Sequence, residues 1–340
     1  MASVTPIDPI SDPRVEHKTT VLNGHTYHYI FGVPKSGQFK ATIVLVHGWP
    51  DLSFGWRYQI PALFEMGYRV AALDMMGYGG TDAPRVPPES NISFYGFKRA
   101  SDDIAELARQ LNAPQIVLGG HDWGGAVVYR VALWYPKLVS HIFAISTPYS
   151  PPSKTYMSIE DVVNGPLPQF RYQLQLAAGD AEVLTTKEEL RNFMKFVSGG
   201  RGPNGEYGFH PLKGIILENL PKLERGPFMT EKELDFYAEQ YSKNGLNGPL
   251  SWYRTRKVNY EEELALTNPN IDAHVLFIAT AKDAVLKPEM SLGMEKFIPN
   301  LTRSSVDANH FGQWEKPDEI NQIIKDWSEK VVFAGEKSSL

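Results

Sequence analysis

Residues 115–134 read QIVLGGHDWGGAVVYRVALW. Gln115 to Leu118 is a short apolar run of strand length, Gly119 to Gly125 is a glycine-rich turn around His121, Asp122 and Trp123, and Ala126 to Trp134 has helical character. A strand that passes into a helix through so few residues needs a strained backbone at its apex and small residues on both sides, so that the main chains can approach. Gly120 and Gly124 meet that need, and Asp122 stands at the apex. Aspartate with glycine is also ordinary turn chemistry, so the weight comes from its place directly after a buried strand. A carboxylate presented there, where a serine would make an acyl ester, can attack saturated carbon and leave an alkyl ester.

Outward from this turn, Thr42 to Val46, Arg69 to Leu73, His141 to Ile145, Val275 to Ala279 and Arg303 to Val306 read as further strands. Helical patterns alternate with them: Ile104, Leu107, Ala108 and Leu111 share one spacing, and Ile320, Ile323, Ile324 and Trp327 another. That alternation is the mark of a mostly parallel sheet covered on both faces, an α/β class. Val15 to Val33 reads as an antiparallel hairpin turning at Asn23 and Gly24. The rhythm breaks after Ser150 and resumes at Ile271, which predicts a core of residues 1–148 and 264–340 with a helical lid inserted at 149–263.

Composition excludes several classes. The chain has 340 residues, 42% of them hydrophobic, with a formal net charge of −5. That is one globular core plus an insert, without the concentrated Lys and Arg that a nucleic-acid partner needs. There is no cysteine, hence no disulfide, thiolate metal site or cysteine nucleophile. The apolar runs, such as Ile43 to Val46, have strand length and predict no membrane span. Met1 to Arg14 carries Asp8 and Asp12 where a secretory leader needs a basic flank and an apolar stretch. The expectation is a cytoplasmic protein, monomer or homodimer. The terminal Ser338, Ser339 and Leu340 only loosely resemble a peroxisomal address, lacking its basic middle residue.

An ester on Asp122 must be hydrolysed, which calls for an oxyanion site, a base and a group to orient the base. Thr42 to Val46 runs into His47, Gly48, Trp49 and Pro50, so the backbone N–H groups of Trp49 and Trp123 are placed to converge on one oxygen. Pro50 suits a cis bond there. Chains with an elbow of this type order their residues nucleophile, acid, histidine. His310, in the loop after Arg303 to Val306, takes the last place among nine histidines. Asp283, after Val275 to Ala279, is the acid, with Asp307 as an alternative; the strand end Ile145, Ser146, Thr147 offers no carboxylate. His121 reads as packing behind the elbow rather than as a second base. No ligand cluster for a metal is visible, and no cofactor is implied.

The segments HGWPD, WRYQIPAL, DMMGYGGTDAP, GGHDWGG, AKDAVL and NHFGQWEKP occur in the order found in epoxide hydrolases. On these the chain resembles that family, including the hydrolase domain of the soluble mammalian enzymes. The resemblance implies an α/β-hydrolase fold with an eight-stranded sheet, Asp122 as nucleophile, and His310 with Asp283 as the water-activating pair. It also implies two lid tyrosines that hold the epoxide oxygen. The motifs FRYQ at 170–173 and PLSWYR at 249–254 match, which assigns Tyr172 and Tyr253; a phenol with pKa about 10 stays protonated at neutral pH and can donate to a developing alkoxide. The expected reaction is hydrolysis of a small apolar epoxide by water to a vicinal diol. Haloalkane and haloacid dehalogenases share the aspartate and histidine, and the tyrosine pair argues against them. A non-catalytic ligand-binding protein on the same fold is the remaining alternative.

Overall fold

The computed structural model describes residues 4–87 and 91–334; the terminal Ser338–Leu340 lies outside them. Ten strands are present among those residues: β1 Glu16–Leu22, β2 His25–Gly32, β3 Ala41–Val46, β4 Tyr68–Leu73, β5 Ile116–His121, β6 Val139–Ile145, β7 Phe209–His210, β8 Gly214–Ile215, β9 His274–Thr280 and β10 Leu301–Val306. Eight of them form one sheet in the order β1-β2-β4-β3-β5-β6-β9-β10, and β7 and β8 pair separately. β1 and β2 are antiparallel, β2 meets β4 antiparallel, and every ladder from β4 to β10 is parallel. This is the α/β-hydrolase architecture. The hairpin turn falls on Asn23 and Gly24, both at positive φ, as the tight two-residue turn requires.

The central strands are apolar along their whole length because both faces are covered; every residue of β5 is buried. β5 is longer than its apolar letters suggest. Gly119, Gly120 and His121, read from sequence as the turn, are still in the sheet, paired with Leu45 and Val46 on one side and with Phe143, Ala144 and Ile145 on the other. The first two are glycines because the neighbours are too close for anything else: a Cβ on Gly119 would lie 2.3 Å from the Phe143 ring and one on Gly120 2.5 Å from the Gly124 carbonyl oxygen. The faces are covered as the periodicity predicts, with Ile104, Leu107 and Ala108 of the helix Phe97–Gln110 and Ile320, Ile324 and Trp327 of the helix Pro317–Trp327 all buried.

The chain divides into two compact units. The first comprises residues 1–73, 100–152 and 266–340, and the second comprises 74–99 and 153–265. Residues 74–99, expected with the sheet core, belong to the second unit through polar contacts that no hydrophobic pattern announces. Trp252 Nε1–H donates to the Met76 carbonyl at 3.0 Å, the Asn247 side chain pairs with both the N–H and the carbonyl of Val86 at 3.0 and 2.8 Å, and the Phe97 N–H donates to Asn259 at 2.8 Å. The rest of that unit is largely helical. Its two longer helices, Lys187–Val197 and Glu231–Asn244, each begin at a threonine capping box, and bury Phe193 and Tyr241 in ring contact. Among the described residues no helix is long and apolar enough to cross a membrane.

Candidate active site

Asp122 alone makes the turn between β5 and the helix Trp123–Trp134, with φ 52° and ψ −123°. A non-glycine residue with positive φ is strained, and the surroundings leave it no alternative. A Cβ on Gly124 would lie 2.0 Å from the Val46 carbonyl oxygen, and one on Gly48 would lie 2.4 Å from Asp122 itself. The elbow is thus pressed against the end of β3, and that proximity brings the Trp49 N–H to 2.7 Å from Asp122 Oδ1. The Trp123 N–H also stabilises the carboxylate. The Trp49–Pro50 peptide is cis.

The other carboxylate oxygen faces the histidine. His310 Nε2 lies 3.6 Å from Asp122 Oδ2, and His310 Nδ1–H donates to Asp283 Oδ2 at 2.7 Å. Asp283 Oδ1 accepts from the N–H groups of Val285 and Leu286 at 2.8 and 2.9 Å, so one carboxylate oxygen is fixed by backbone and the other by the imidazole. Asp307 points elsewhere, paired with Lys282 on the surface at 2.7 Å. The five core positions read from sequence, Trp49, Asp122, Trp123, Asp283 and His310, are brought together within the first unit.

Electrostatics follow from burial and pairing. Burial opposes charge on His310, yet the hydrogen-bonded Asp283 carboxylate, and behind it those of Asp122 and Asp51, lift its pKa to about 9. Burial likewise opposes charge on Asp283, but the imidazolium and the two N–H donors hold it at about 2. The Asp122 carboxyl is raised by burial, with His310 and the two backbone N–H groups pulling the other way. His121 is buried, and burial with repulsion from His310 takes it to about 3. It is a neutral ring whose Nε2–H donates to the His310 carbonyl at 2.8 Å.

Three hydroxyls not singled out from sequence complete the first unit's site. The Ser146 Oγ–H donates to the His310 carbonyl at 3.1 Å and accepts from Thr280 Oγ1 at 2.8 Å, while Thr147 Oγ1 donates to the Asp122 carbonyl at 2.8 Å. The two residues that follow β6 thereby hold the backbone of both Asp122 and His310. Among the described residues no three His, Cys, Asp or Glu side chains are grouped to hold a metal ion.

Tyr172 and Tyr253 lie in the second unit, both buried. Tyr172 opens the helix Tyr172–Ala178, Tyr253 sits in the turn Trp252–Arg254, and their rings meet edge to face with centroids 5.9 Å apart. Residues 81 positions apart in sequence are thus neighbours.

Comparison with known proteins agrees with this architecture. Residues 41–317 match the family model of the alpha/beta hydrolase fold. The chain is 38% identical to a Neurospora crassa protein named epoxide hydrolase srdG, over 94% of this chain and 97% of that one. It is 37% identical to the mouse protein named bifunctional epoxide hydrolase 2, over 95% of this chain but only 57% of that longer protein. Among solved structures, epoxide hydrolase A of Mycobacterium thermoresistibile superposes with a TM-score of 0.78 at 29% identity, covering 92% of this chain and 97% of that one. A strand-to-helix elbow bearing aspartate where serine could stand, and relatives of this identity along nearly the whole length, place the chain in the epoxide hydrolase family of the α/β-hydrolase fold.

Proposed function

We propose that this protein hydrolyses an apolar epoxide to a vicinal diol through a covalent ester on Asp122. The observation that carries the reading is the division of labour between the two Asp122 oxygens. Oδ1 accepts the Trp49 N–H at 2.7 Å, and Oδ2 is turned toward His310 at 3.6 Å. Oδ2 is the free nucleophile. It attacks a ring carbon, the ring C–O bond breaks, and the oxygen takes a proton from one of the phenols of Tyr172 and Tyr253, leaving a hydroxyalkyl ester.

Ester formation removes the negative charge of Asp122, one of the charges that raises His310. The imidazole therefore becomes easier to deprotonate once substrate is attached, which prepares it for general-base work. Neutral His310 takes a proton from water, hydroxide adds to the ester carbonyl carbon, and the negative charge on Oδ1 is met by the N–H groups of Trp49 and Trp123. Collapse expels the diol oxygen, which takes the proton back from His310; the proton left on the new Asp122 carboxyl restores the phenol by way of solvent, and one oxygen of the regenerated carboxylate comes from water. The second unit, residues 149–263 above all, serves as the lid that supplies the phenols. The test is one turnover in heavy-oxygen water followed by mass analysis of the peptide containing Asp122. Label in that carboxylate is expected; label in the diol alone after a first turnover would overturn the ester mechanism.

A further inference from the structure

Arg254 directly follows Tyr253, and its guanidinium is spent entirely within the second unit. Nε–H donates to the Ala177 carbonyl at 2.8 Å, Nη1–H to the Val86 carbonyl at 2.8 Å, and Nη2–H to Glu182 Oε1 at 2.7 Å. The side chain is 15% exposed. Ala177 lies in the last turn of the helix that Tyr172 begins, where carbonyls have no partner inside the helix. Glu182 is held in turn by Asn247 Nδ2, 3.0 Å from each of its oxygens. Gly179, at φ +87°, passes so near that a Cβ there would lie 2.6 Å from Nη2. Three segments therefore converge on one planar group with fixed directions; one of them carries Tyr172, and the turn from which Arg254 itself extends carries Tyr253.

We propose that Arg254 is a positioning residue that sets the separation of the Tyr172 and Tyr253 hydroxyls, by pinning the turn that holds one to the helix that holds the other. The inference rests on the reading that both phenols hold the epoxide oxygen. Two donors can serve one oxygen only at a set spacing, and a guanidinium fork maintains spacing in a way that the single ammonium of lysine cannot. Its loss slows ring opening and leaves the later attack of water on the ester, which uses no phenol, at its normal rate.

The experiment measures ester formation and ester breakdown separately, by intact mass in single turnovers, for Arg254→Lys and Arg254→Met in the wild-type and Tyr253→Phe backgrounds. Arg254→Met is expected to slow ester formation by roughly 10- to 100-fold, the scale of a misplacement near 1 Å, with Arg254→Lys between it and wild type. Ester breakdown stays within about twofold, and the Arg254 effect shrinks in the Tyr253→Phe background, since the two act on one contact. Equal slowing of both half-reactions, or an Arg254 effect of the same size without the Tyr253 hydroxyl, would overturn the proposal. Should Arg254→Met fail to fold, Glu182→Gln replaces it under the same criteria. Tyr172→Phe and Tyr253→Phe are run alone as well: if neither slows ester formation, the phenol reading falls and this proposal with it. If both do and the Arg254 variants do not, only the positioning role falls.

Discussion

At the scale of residues, the proposed mechanism separates a nucleophile, Asp122, from the base, His310, that releases its product. His310→Gln is near in size and removes the proposed base, so turnover should fall by about 100-fold or more while intact protein gains the mass of one substrate. Steady turnover without that mass gain would assign the base elsewhere. Ester breakdown in the wild type should rise with pH along a curve centred below the value of about 9 that His310 has in the free protein. A curve centred at or above it would contradict charge loss on Asp122 as the trigger. Stability carries a second signature. His310 is raised from 6.5 to about 9, so its contribution is complete below pH 6.5 and lost as pH rises through about 9. Asp283 is lowered from 3.8 to about 2, so its contribution is complete above pH 3.8 and lost as pH falls through about 2. The melting advantage of wild type over His310→Gln should therefore be larger at about pH 5.5 than at about pH 9.5; an equal gap in thermal melts at both would refute the pairing. Chain order and strand ends single out Asp122, His310 and Asp283 in the sequence, and the structure brings the three side chains together. Ser146, Thr147 and Thr280 were not legible there: a hydroxyl at a strand end has no pattern, and the Ser146 contact joins residues 164 positions apart.

At the scale of elements, strands were legible from apolar runs and helices from their spacing, with ends displaced wherever glycine hid a continuing strand. β5 is the clear case: Gly119 and Gly120 look like a loop in one dimension, yet they are paired on both sides. The elbow also shows how closely an element can depend on one missing methyl group. Gly124→Ala would drive a Cβ to 2.0 Å from the Val46 carbonyl, and overpacking against backbone costs on the order of 3 kcal/mol. Urea unfolding should show an unfolding free energy lower by that margin, read as a lower midpoint at unchanged slope, or no folded protein at all. A variant as stable as wild type would mean that the helix Trp123–Trp134 and β3 can separate, and that the close approach is not what aims Asp122.

At the scale of the whole molecule, epoxide chemistry and carbon–halogen chemistry begin with the same carboxylate attack, and on the proposed reading the two phenols divide them. Incubated with a terminal alkyl epoxide and with the chloroalkane of matching chain length, the protein should convert the first to diol and release no chloride above background from the second. Measured chloride release without diol formation would reverse the choice. The helical insert was legible as a break in rhythm, but the recruitment of residues 74–99 to it was not, because Asn247, Trp252 and Asn259 capture that segment through backbone polar groups. The chain quits the sheet after β6 and rejoins it at β9 as the adjacent parallel strand, with Ile145 opposite Ile278. Exit and re-entry are therefore side by side, and whatever is spliced between them disturbs no ladder bond. Length and composition can change between β6 and β9 without unpairing the strands that carry Asp122, Asp283 and His310 at their ends.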